Sequence, residues 1–89
     1  MEYQERLEIW QQKLGAAMKQ IKLSAYLQVE ATTLLKSLQN SDDHAKYAIA
    51  LDKASSTIER ALKMEREAIG LCGELRRHKP EPPENYQAI

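Results

Sequence analysis

The stretch 3–21, YQERLEIWQQKLGAAMKQI, decides how the rest of the chain is read. Tyr3, Leu7, Trp10, Leu14, Ala17 and Ile21 recur in it at alternating steps of four and three. That spacing puts all six on one stripe of an α-helix, whereas strand side chains alternate with a period of two. Gly15 lies inside the run and costs about 1 kcal/mol relative to Ala in a helix interior. The stripe nevertheless continues through it. Past Ile21 the same register meets Ser24 and Gln28 before returning to Ala31, Leu35 and Leu38. Across that gap Leu23, Leu27 and Leu34, with Tyr26 nearby, supply the apolar positions. The pattern therefore predicts a buried face that rotates around the helix, or widens to meet two partners.

The run breaks at 39–43, QNSDD. Asn40 or Ser41 is the expected N-cap of a second helix, with Asp42 and Asp43 in its first turn, where acidic side chains suit the helix dipole. A second stripe follows, comprising Tyr47, Leu51, Ala54, Ile58, Ala61 and Leu62, then Ala68, Ile69 and Cys72. Pro80 cannot extend a helix and disfavours helical backbone at Lys79. These signals predict helices over about 3–39 and 42–77, a helical unit over 1–79, and a Pro-rich tail over 80–89. So short a connection makes the helices antiparallel neighbours. A symmetric hairpin would set Trp10 near Gly70 and Leu71 and give Gly70 a packing role.

Composition agrees with an all-α fold. There is no Phe and there are only three Gly and three Pro in 89 residues, and strand formers give way to Ala, Leu, Glu, Gln and Lys. A single hairpin seam leaves apolar residues over, including Ile9, Met18, Leu23, Leu34, Met64 and Leu75. Chains of this size struggle to build a sufficient core unaided. The expected resolution is dimerisation of the long antiparallel hairpin into a four-helix bundle. Leu7, Trp10, Leu14, Ile21, Leu51, Ile58, Leu62 and Ile69 are the expected core or self-association residues. The expected partners are a second copy and an unidentified protein.

Thirteen basic and thirteen acidic residues cancel, which disfavours general electrostatic binding of nucleic acid. The one cysteine, Cys72, forms no intrachain disulfide and suits a reducing cytosol. No signal peptide and no membrane-spanning run are visible, so a cytoplasmic protein is expected. Catalytic and metal constellations are missing. His44 and His78 sit at opposite ends of one helix, and no HExxH, CxxC or EF-hand spacing occurs. Cys72 reads as a small buried hydrophobe rather than a nucleophile. No enzyme, cofactor or metal is expected. Arg76, Arg77, His78 and Lys79 stand in succession, and cations there stabilise a helix C-terminus. The competing reading makes Arg76, Arg77 and Lys79 phosphate contacts. Tyr26, off the stripe, is the candidate partner-facing aromatic.

Leu51–Leu71, LDKASSTIERALKMEREAIGL, resembles the C-terminal helical part of some bacteriophage small terminase subunits and related packaging proteins. In those a helix ending like EREAIGL (residues 65–71) helps assemble the oligomer. The resemblance covers about a quarter of the chain, and it implies oligomerisation. The N-terminal helix-turn-helix domain of such subunits has no counterpart here. It also implies a phage-like origin, in which a small helical protein binds or inhibits a host protein. The sequence thus predicts a non-enzymatic protein–protein interaction module, a self-associating helical hairpin. The alternative is a nucleic-acid-binding or DNA-packaging accessory protein whose basic surface forms on oligomerisation.

Overall fold

The computed structural model of the protein describes residues 2–39 and 42–85. Two α-helices, α1 (Tyr3–Leu38) and α2 (His44–Arg77), run antiparallel, and no strand occurs among the described residues. Their 36 and 34 residues correspond to about 54 and 51 Å at 1.5 Å per residue. The molecule measures 70 × 21 × 16 Å, a rod with one helix–helix interface.

The ends follow from local chemistry. The α2 N-cap is Asp43, whose carboxylate accepts from the Lys46 backbone N–H at 3.0 Å. Asp43 therefore precedes the first turn, which contains no acidic residue. The expected caps Asn40 and Ser41 lie outside the described residues. At the other end the His78 N–H bridges the Glu74 and Leu75 carbonyls, each at 3.2 Å, and Pro80 forbids continuation. Gly15 introduces no break, since α1 is continuous from Tyr3 to Leu38.

The seam does not rotate. Ser24 is 0 % exposed and Gln28 half-buried, while Leu23 and Leu34 lie in solvent. The four-three register of α1 runs straight from Leu7 to Leu38. Its apparent interruption is met in two ways. Ser24 turns its hydroxyl back to donate to the Ile21 carbonyl at 2.7 Å, so this buried hydroxyl is satisfied. Gln28 Nε2 donates to Glu65 Oε2 on α2 at 2.9 Å. The polar residues thus belong to the interface, and the leucines outside it are the surplus.

A size pattern governs that interface. The buried residues of α1 are Ala17, Ser24 and Ala31, each seven after the last. Those of α2 are Ala54, Ala61 and Ala68, again seven apart, followed by Cys72. The Lys79 ammonium lies 5.5 Å above the Trp10 ring, the Trp10 indole N–H donates to the Leu75 carbonyl, and Gln28 meets Glu65. These contacts bracket a register that places Ala17 within about a turn of Cys72, Ile21 of Ala68, Gln28 of Ala61, Ala31 of Ile58 and Leu35 of Ala54. Nearly every layer sets a small residue against a larger one, and small residues allow helix axes to approach toward the lower end of the usual 8–10 Å.

Two expectations are corrected by this register. Trp10 sits by Leu75 and Lys79 rather than by Gly70 and Leu71, and a Cβ at Gly70 would meet nothing within 4 Å. Turn symmetry does not set the pairing; matching of large to small residues does. Leu75 is half-buried beneath Trp10 and is not surplus.

Candidate interaction surface

Alanines bury little area, and each buried methylene is worth about 0.8 kcal/mol. A seam of alanines therefore supplies less stabilisation than one of leucines. The large apolar residues stand instead on the two flanks of the hairpin. Along one flank run Ile9, Leu23 and Leu34 of α1, all exposed, with half-buried Leu27, facing half-buried Met64 and exposed Leu71 of α2. A groove lined by Leu27, Glu30, Leu34, Lys53 and Thr57 shows that these rows of α1 and α2 open to the same side. Along the opposite flank Met18, Ile21 and Lys22 line a groove with Ile69, Cys72, Gly73 and Arg76, and exposed Leu62 continues the apolar row of α2.

The residues singled out in the sequence separate into distinct positions. Leu7, Trp10, Leu14, Ile21 and Ile58 are half-buried in or beside the seam. Leu51, Leu62 and Ile69 are exposed. Ile69 is 53 % exposed, because the seam position of that turn is taken by Ala68. Tyr26 is 59 % exposed on the outer side of α1. Tyr86 of the tail lies outside the described residues.

Three residues of the basic cluster, Arg76, Arg77 and Lys79, line one groove with Tyr3, Glu81 and the flanking prolines at the open end of the hairpin, and Arg76 also borders the groove around Ile69 and Cys72. His78 is the C-cap of α2. Lys79 covers the Trp10 ring, a cation–π contact that also screens the indole from water. The most exposed large aliphatic side chains are Val29, Ile49, Ile69, Leu34 and Leu23, of which the sequence offers Leu23 and Leu34 as surplus and Ile69 as a core or self-association residue. The seven-residue spacing of the small residues is the signal that separates them.

Among the described residues no group of three or more His, Cys, Asp or Glu is placed to hold a metal ion. Cys72 is buried in the seam. No helix among the described residues is long and apolar enough to cross a membrane. Comparison with protein-family models, with curated proteins and with solved structures gives no match.

Proposed function

We propose that this protein is a non-enzymatic interaction module whose hairpin self-associates into a four-helix bundle and presents its remaining surface to another protein. One observation carries the reading. The fully buried interior consists of alanines, one serine and one cysteine, while leucines, isoleucines, Met18 and Val29 stand more than a third exposed. Rows of this kind along both flanks of a two-helix rod resemble a bundle core cut in half. A soluble two-helix chain gains most by covering them with further helices.

The test is solution mass by light scattering during size-exclusion chromatography over a range of concentrations. A dimer or higher oligomer is the expected result. A helical monomer at all concentrations, with no binding of a hydrophobic dye, would remove the proposal.

A further inference from the structure

Resting on that self-association, we infer that the second copy packs on one particular flank, the one carrying Leu23, Leu27, Leu34, Met64 and Leu71, with its helices antiparallel about a two-fold axis at the level of Met64. The observation is a charge sequence. Every seventh residue of α2 on the rim of this flank reads Lys46, Lys53, Arg60, Glu67, Glu74, and all five are exposed. The row is basic in its first half and acidic in its second. Two copies of such a row repel when parallel and attract when antiparallel, because rim positions of one kind face each other across an antiparallel helix pair.

The centre of that attraction can be located. Pairing Lys53 with the second copy's Glu74 and Arg60 with its Glu67 places the axis, for both pairs, between Lys63 and Met64. The residues just inside the rim, Thr57, Met64 and Leu71, are then also symmetric, with Met64 on the axis and Thr57 across from Leu71. On α1 the leucines of this flank have a centre of their own. Leu23 and Leu27 lie evenly about Ala25, and Leu34 falls opposite Ala16, while Ile9 lies beyond the overlap.

These two centres come from different helices and different chemistry, so nothing in the sequence forces them to coincide. The hairpin register decides the matter. The contacts of Trp10 with Leu75 and Lys79 and of Gln28 with Glu65 bracket Met64, placing it within about one helical turn of the level of Ala25. A single two-fold axis set by the charge row of α2 therefore also passes within about a turn of the centre of the α1 leucines, in keeping with an isologous interface. The opposite flank lacks this property. Its α2 rim, Asp52, Glu59, Arg66, Gly73, offers one complementary pair, Glu59 with Arg66. Its α1 rim, Lys22, Val29, Lys36, offers none.

The experiment uses two rim variants of the full chain, Lys53→Glu with Arg60→Glu, and Glu67→Lys with Glu74→Lys. Each gives the four paired positions a single sign, and each is expected to weaken homodimerisation at low salt at least about tenfold. Mixed in equal amounts, the two variants are expected to form a heterodimer as readily as the unaltered protein forms a homodimer. Combining all four substitutions restores the alternation and the homodimer. Circular dichroism monitors folding of each variant. As an independent readout, Met64→Cys in a Cys72→Ser background is expected to link two copies under diamide, and Leu62→Cys in the same background is not. If the unaltered protein dimerises but the rim variants dimerise equally well, or Leu62→Cys links in place of Met64→Cys, this flank is wrong and self-association stands. If the unaltered protein stays monomeric, both fail.

Discussion

Ala61→Leu tests the principle on which the hairpin is built. Ala61 and Ser24 are each 0 % exposed, and Ala61 lies within about a turn of Gln28, whose amide reaches Glu65 one turn further along α2. Leucine adds three carbon atoms to a fully buried position whose neighbouring space is occupied by the other helix and the Gln28 side chain. Ala61 sits in mid-helix, so the ends cannot fray to make room, and the two rods must separate or Gln28 must leave the seam. Overpacking of this kind costs about 1–3 kcal/mol, and loss of the Gln28–Glu65 hydrogen bond adds about 1 kcal/mol. A total near 3 kcal/mol lowers the melting temperature by roughly 12–24 °C in a chain of this size. Gln28→Ala, added to Ala61→Leu, reverses large and small within the same layer and restores its volume. The double variant is expected within about 1 kcal/mol of the parent, a coupling of about 2 kcal/mol or more for two residues in contact. Urea unfolding followed by circular dichroism at one fixed protomer concentration measures all four states, because association makes stability concentration-dependent. Ala61→Leu alone as stable as the parent, or additive effects in the double variant, would refute the close-packed seam.

Gly70→Ala is expected to raise stability by about 0.5–1 kcal/mol in the same unfolding assay, since a Cβ there meets nothing within 4 Å and the position is helical. Trp10→Phe removes the indole N–H that Leu75 accepts and weakens the Lys79 contact, for a loss of about 1–2 kcal/mol; a neutral result would place the ring elsewhere. Asp43→Ala deletes the side-chain cap on the Lys46 N–H and should cost about 1 kcal/mol, seen as faster amide exchange in the first turn of α2. Arg76→Ala with Arg77→Ala is expected to leave the solution mass unchanged, and titration with duplex DNA to show no steep fall in affinity with salt attributable to these two residues.

The all-helical hairpin was legible because the spacing of Tyr3, Leu7, Trp10, Leu14, Ala17 and Ile21 leaves no other regular structure, and because Pro80 and the polar break at 39–43 bound two long runs. The pairing between the helices was not legible by the same route. Hydrophobicity alone ranks Leu23 above Ser24, so the stripe seemed to shift onto the leucines where a buried serine in fact continues it. Ser24 is tolerated because its hydroxyl is satisfied by its own helix, a local bond that hydropathy does not register. Gly70 misled for a related reason. A symmetric turn set it beside Trp10, whereas the match of large to small residues moves the pairing so that Trp10 meets Leu75 and Lys79. Asp43 was placed one step too far inside α2, within the usual uncertainty of a helix boundary. The division of apolar residues into seam and flank needed residue size as well as polarity, read at every seventh position.

The antiparallel arrangement bears on whether oligomerisation assembles a basic surface. Arg77 lies thirteen residues from Met64 along α2, about 20 Å at 1.5 Å per residue. A two-fold axis through Met64 therefore sends the two basic ends in opposite directions, about 40 Å apart, with Glu67 and Glu74 on the span between each end and the centre. The same axis brings other residues together. Tyr26, one residue from Ala25 and 59 % exposed, comes to the middle of the bundle from both copies. A parallel dimer would do the reverse, gathering the arginines at one end and setting like charges of the α2 rim against each other along the whole seam. The charge order that favours self-pairing therefore works against a joined phosphate-binding patch. In the proposed dimer the surface left for another protein is central, flanked by two exposed tyrosines, and each groove lined by Arg76, Arg77 and Lys79 stays with its own hairpin, where Lys79 also covers Trp10.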